Sequence, residues 1–437
     1  MKITEFPEYA EKLVTARLAN GLTVKVFPKK DFHKTAALLR VEFGSIDESF
    51  ASGYPKNVQK FPAGVAHFLE HKMFEQPNHD AFETFSHLGA DANAFTTYTS
   101  TNYLFSTVFN VKENLETLLD FVQEPYFQPA AVEREKNIIG QEIKMYADDV
   151  NSALYAGTLA QLYPQHPLAN DIAGTLTSIS KITAADLLTC YHAFYRPQNM
   201  SLLVAGAVEP QEVIEWIENN QAKKVFEPGP KIYRPDLTAK KFQQPALAFK
   251  KVNLPTKRSR ITFGIKGLDP VEVSSSAGLR YSLALELGCC LLLGELSDNY
   301  QQLYQSGLID DSFNFEIQVD RGFHYIIVSA QTDFVQQLFD ELKRIFATAL
   351  DQLPTAAEQF KMAKRDLLGG EVELLDSIES ILNEDQGLLF GQATIFDQLQ
   401  AVKELTLAEV CQTLAAFLKT AQFSKFQIDP KGVEVKQ

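Results

Sequence analysis

Gly64-Val65-Ala66-His67-Phe68-Leu69-Glu70-His71-Lys72-Met73-Phe74 reads as one helix carrying two histidines and a carboxylate on one side. His67 and His71 stand at i and i+4, one turn apart, so both imidazoles can reach a single ion, and Glu70 shares their face. Catalytic zinc takes three protein ligands and keeps a fourth position for water, whose pKa falls to about 7 at such a site. A carboxylate beside that water can act as its general base. The order His-x-x-Glu-His reverses the commoner His-Glu-x-x-His yet keeps the ligands one turn apart, with the base just before the second. The stretch predicts a zinc hydrolytic site that lacks a third ligand.

The best source of that ligand is Val132-Glu133-Arg134-Glu135-Lys136-Asn137-Ile138-Ile139-Gly140-Gln141-Glu142-Ile143-Lys144-Met145, a stretch of helix-forming composition and period. Glu135 and Glu142 are seven apart, two turns, and lie close to the same face. That face could supply one ligand and one supporting acid. The plainer reading is a solvated acidic helix surface.

His67-x-x-Glu70-His71 followed at a distance by Glu135 and Glu142 resembles the pitrilysin family of zinc metallopeptidases, which includes insulin-degrading enzymes and mitochondrial processing peptidases. The resemblance implies that His67, His71 and Glu142 ligate one Zn2+ per chain, that Glu70 is the base, and that Glu135 supports the site from behind. It also implies that the Asn93-Ala94-Phe95-Thr96 stretch is an edge strand to which a bound peptide adds as a further strand, making Asn93, Ala94 and Phe95 substrate-binding residues.

Composition narrows the class. A formal charge of -14 and a pI near 5.1 argue against nucleic acid or an anionic membrane as the main partner. Cys190, Cys289, Cys290 and Cys411 show no metal spacing, and adjacent cysteines rarely pair, so a reducing compartment is expected. The N-terminus has no apolar segment of a signal peptide and carries acids that a transit peptide avoids. The longest apolar run, around Leu287 to Leu293, falls far short of about 20 residues, so no membrane span is expected and the protein is placed in the cytoplasm. The other six histidines read as structural or solvated.

At 437 residues the chain exceeds one core. Ala16 to Val26 reads as a hairpin whose Asn20-Gly21 pair predicts a type I′ turn. Strands follow at about 36–43, 90–98, 103–109 and 200–206, with helices at 64–75, 82–87, 111–122, 132–149 and 184–194. A linker with Pro228, Pro230, Pro235 and Pro245 covers 222–245. The second half repeats the first in outline, but Leu287-Gly288-Cys289-Cys290-Leu291 replaces the motif. The expected fold is α+β: two similar domains in tandem, 1–221 with zinc and 246–437 without, each a mostly antiparallel sheet packed with helices.

That layout resembles the processing-peptidase branch, in which a peptidase chamber closes only when two such chains meet. The implied function is a zinc endopeptidase acting on peptides or unfolded segments, paired as a homodimer or with a sister chain lacking the motif. One departure stands out. Where many members carry an arginine and a tyrosine that reach the substrate carbonyl, this chain has Tyr304 and Asp310, with Tyr304 a candidate substrate contact. Removing one oxyanion donor can cost about 100- to 1,000-fold in rate, which favours a second reading, a binding or assembly subunit of a peptidase-like complex.

Overall fold

Short runs of Val, Leu and Phe that alternate with polar residues build the strands, and longer runs of period 3.6 build the helices that cover them. The computed structural model describes residues 1–226 and 229–432; Pro228 of the expected linker and residues 433–437 of the expected second domain lie outside them. The fold is α+β, with two tandem units of similar topology.

In the first unit the strands are β1 (Lys2–Phe6), β2 (Glu11–Arg17), β3 (Thr23–Pro28), β4 (Thr35–Val41), β5 (Ser49–Ser52), β6 (Val58–Lys60), β7 (Ala90–Thr96), β8 (Thr101–Thr107), β9 (Met200–Gly206) and β10 (Ile232–Tyr233). Seven of them form one sheet in the order β1-β2-β3-β9-β4-β8-β7, antiparallel except for the parallel pair β3 and β9, while β10, β5 and β6 make a small separate sheet. The β2–β3 connection corrects the expected turn. Gly21 alone has a positive φ, +93°, and its N–H donates to Leu18 O at 2.9 Å, so the turn closes over Ala19 and Asn20, one residue earlier than type I′ requires.

The second unit carries β11 (Phe249–Leu254), β12 (Arg260–Lys266), β13 (Asn314–Asp320), β14 (Phe323–Gln331) and β15 (Gln422–Pro430) in the order β11-β15-β12-β14-β13. Its one parallel pair is β11 and β15. Strand for strand this repeats β3-β9-β4-β8-β7, so the expected duplication is present in five strands. Among the described residues β1 and β2 have no counterpart in it.

The units are not continuous in sequence. The first consists of Met1–Ile143, Asp171–Pro235 and Leu374–Gly387; the second of Lys144–Asn170, Asp236–Glu373 and Leu388–Gln437. The crossing at Pro235 and Asp236 falls inside the proline-bearing linker. The two shorter excursions complete each sheet. In the first unit the helix Ile378–Asn383 packs on β4 and β9; in the second a helix at Val150–Leu162 packs on β12 and β15 so closely that a Cβ at Gly157 would sit 2.3 Å from the Phe426 ring. Both faces of each central strand are thereby buried, and all seven residues of β4 are.

The apolar run expected around Leu287 to Leu293 is the end of a longer helix, Ser276–Leu293. This helix is long and apolar enough to cross a membrane by length and composition alone, the one such helix among the described residues. Most of it is buried in the core of the second unit, in the place that the histidine-bearing helix holds in the first.

Candidate metal centre

The motif forms helix α1 (Val65–Phe74), with α2 (Ala81–His87), α3 (Val111–Gln123) and α4 (Pro129–Asp148) following. α1 is buried almost all round, because apolar residues alternate with the motif on every face: Val65, Ala66, Phe68, Leu69, Met73 and Phe74 enter the core. Gly64 precedes it at φ +88°, and a Cβ there would lie 2.5 Å from Ala173 O, so only glycine admits the chain at this point. Lys72, fully buried, pairs with Glu75, which also accepts from Arg134 Nη2 at 3.4 Å and so ties the end of α1 to α4.

On α4 the core-facing stripe runs through Val132, Ile139 and Gly140, and Glu135 and Glu142 are half-buried beside it rather than on the solvated face. This brings His67, His71 and Glu142 together, with one donor atom from each within 4.8 Å of the others. His67 Nε2 is 3.6 Å from Glu142 Oε1, and His71 Nε2 is 3.5 Å from Glu142 Oε2. Zinc bonds of about 2.0–2.1 Å in a tetrahedron imply ligand separations of roughly 3.3–3.4 Å. Two imidazoles and a carboxylate at these spacings fit that ion in donor type and in size.

Behind the cluster, His71 Nδ1 stands 3.0 Å from Glu135 Oε1. With its proton on Nδ1 the ring donates to Glu135 and turns the Nε2 lone pair toward Glu142. Burial, the largest influence on His71, lowers its pKa, but the Glu135 hydrogen bond and the charges of Glu70, Glu135 and Glu142 outweigh it and leave the pKa raised. His67 Nδ1 is buried with no hydrogen-bond partner among the described residues.

Glu70 is 7% exposed, and Thr96 Oγ1 donates to its Oε2 at 2.5 Å. Burial raises the Glu70 carboxyl above the ordinary range; the neighbouring His67, the Thr96 hydrogen bond and His71 pull against it. Thr96 does not follow from the sequence: it lies 26 residues from Glu70, and no local spacing links a strand end to a helix.

β7 ends the strand order, so among the described residues one of its edges carries no partner strand. It also packs against α1. Asn93 and Phe95 are exposed on it, and Ala94 is half-buried between them. Tyr304 belongs to the second unit, on the helix Asp298–Gln305, where it is exposed and donates to Asp311 Oδ1 at 3.2 Å. Asp310 accepts from Arg258 Nη1 at 2.5 Å.

Comparison with known proteins places this arrangement in a family. Residues 30–176 match the family described as Insulinase (Peptidase family M16), and residues 181–367 match the Peptidase M16 inactive domain. The Bacillus subtilis protein named Uncharacterized zinc protease YmfH is 36% identical over 99% of this chain and 100% of its own length. The chain belongs to peptidase family M16. An M16-like peptidase from Alicyclobacillus acidocaldarius, solved by crystallography, superposes with a TM-score of 0.90 at 32% identity, covering 98% of this chain and 100% of that one. A further M16 relative, named a probable mitochondrial-processing peptidase subunit beta from Arabidopsis thaliana, is 29% identical over 37% of this chain and 31% of its own. This member carries the family's paired topology and is related throughout its length to a protein named a zinc protease.

Proposed function

We propose that the chain is a zinc-dependent endopeptidase that hydrolyses peptides or unfolded segments inside a chamber formed by two chains. The observation that carries this reading is the convergence of His67, His71 and Glu142 within 4.8 Å, with the buried Glu70 on the same helix face. His67, His71 and Glu142 would hold the zinc, which when bound polarises the scissile carbonyl and acidifies water.

The protein's own groups do the rest. Glu70 takes the proton of the attacking water and passes it to the leaving amine; its raised pKa brings the carboxylate closer to neutrality, where a base is most effective. Thr96 holds one carboxylate oxygen so that the other faces the reaction. Glu135 keeps His71 in the ligating orientation. The free edge of β7, with Asn93, Ala94 and Phe95, binds an extended peptide through main-chain hydrogen bonds. Tyr304, exposed on its helix, is kept as a candidate substrate contact.

A second chain closing the chamber is supported by the relative named as a subunit of a processing peptidase. Four unpaired cysteines fit a reducing compartment such as the cytoplasm. The test is a quenched-fluorescent peptide assay with metal analysis on three proteins. Glu70→Gln should abolish cleavage and keep zinc, and His71→Ala should lose both. A Glu70→Gln protein that cuts peptide at the wild-type rate would overturn the reading. Native mass of the active species should correspond to two chains.

A further inference from the structure

The second unit contains an open cavity of about 860 Å³ that no part of the proposed hydrolysis uses. It lies between the helices Val335–Ala347 and Leu407–Thr420 and is floored by β12 and β15. Its size falls within the range of small-molecule sites, about 300–1,000 Å³.

Its walls are apolar. Phe263, Phe346, Leu350, Leu418 and Phe423 line it, and Phe423 and Leu350 remain 43% and 45% exposed. The space exists because Ala248, Ala347 and Ala415 stand where larger side chains would fill it. The remaining lining residues are Lys343, Lys419 and Lys425; among the described residues no carboxylate, amide or hydroxyl side chain lines the cavity. Lys425 Nζ lies 4.9 Å from the centre of the Phe339 ring, a cation–π contact.

Three ammonium groups and no other side-chain hydrogen-bonding group define the occupant. A sugar, a nucleobase or a peptide backbone would bring O–H and N–H donors for which these side chains offer no acceptor. An anionic head answers the lysines, and a purely hydrocarbon body answers the rest. Three cations around one apolar cavity are also unexpected on a chain of net charge -14. We propose that this cavity binds an unbranched acyl chain bearing a terminal carboxylate, a fatty-acid-like ligand, with Lys343, Lys419 and Lys425 receiving the head. The site is independent of the metal centre and of the peptidase reading.

Calorimetric titration of the full chain with dodecanoate, below its micellar concentration, tests this. One saturable site is expected. Octanoate should bind at least about 10-fold more weakly, since each methylene withdrawn from water contributes to affinity. Dodecyltrimethylammonium, of the same length and opposite charge, should show no saturable binding. Ala415→Trp fills the cavity and should weaken dodecanoate about 10-fold or more. The double variant Lys343→Glu, Lys419→Glu changes only exposed groups, should keep the fold, and should weaken binding by a similar factor. Absence of saturation by about 1 mM dodecanoate, equal binding of the cation, or unchanged affinity in the lysine double variant would each overturn the proposal.

Discussion

Thr96 Oγ1, at the last position of the sheet's edge strand, donates a hydrogen bond of 2.5 Å to Glu70 Oε2 on the buried motif helix. One contact thus links the strand proposed to receive peptide with the carboxylate proposed to move its protons. Thr96→Val keeps the volume and removes the donor. It should lower kcat about 10-fold with zinc content unchanged, and shift the acid limb of the kcat/KM profile upward, because the lost hydrogen bond had favoured the charged carboxylate. Steady-state kinetics across pH would check both.

Glu135 touches His71 at the rear of the proposed site. Glu135→Gln removes the charge that holds the imidazole proton on Nδ1, 3.0 Å away. Zinc affinity, measured by competition with a chromogenic chelator, should fall about 10- to 100-fold. Circular dichroism should stay unchanged, since glutamine has the size and shape of the glutamate it replaces.

Asp385 belongs to the segment that completes the first unit and is fully buried between two cations, bonded to Lys25 and 3.4 Å from Arg40 Nη1. Arg40 in turn donates to Asn102 Oδ1 at 3.0 Å. Asp385→Ala leaves two cations in a low-dielectric interior and should cost on the order of 3–5 kcal/mol in urea unfolding. Lys34→Ala, whose partner Glu379 lies on the same segment but in solvent, should cost less than about 1 kcal/mol.

His166 makes stability depend on pH in the second unit. It is 2% exposed, its Nδ1 accepts from Leu168 N at 3.0 Å, and burial, with Lys266 adding to it, lowers its pKa to about 4. The unfolded chain takes up this proton near pH 6.5 and the folded one does not until about pH 4. The His166 contribution to stability should therefore be complete above pH 6.5 and decline by about 3 kcal/mol as the pH falls through that window. Denaturant titrations from pH 7 to 4 should show the slope, and His166→Gln should flatten it.

Much of this molecule is legible in the chain, and the limits have physical causes. α1, the β7–β8 pair and β9 follow from strong local patterns, as does the shared face of His67, Glu70 and His71. The Asn20-Gly21 pair signals a turn, but the register of β2 on β3 places it one residue earlier. The helix Val150–Leu162 goes unread because only Asp149, which caps it through Ser152 N at 2.7 Å, separates it from α4. Ser276–Leu293 looks too short as an apolar run, yet its scattered polar residues leave it apolar overall. The exchange of segments between the units and the Thr96 contact are invisible, since both join residues far apart in sequence.

X-ray absorption at the zinc edge of the purified chain tests the central claim most directly. One zinc per chain is predicted, bound by two imidazole nitrogens and oxygen at about 2.0–2.2 Å, with the signal lost in Glu142→Ala and in His67→Ala. A wild-type chain that holds no zinc after equilibration with the metal, or a Glu142→Ala chain that keeps it in an unchanged coordination shell, would contradict the account.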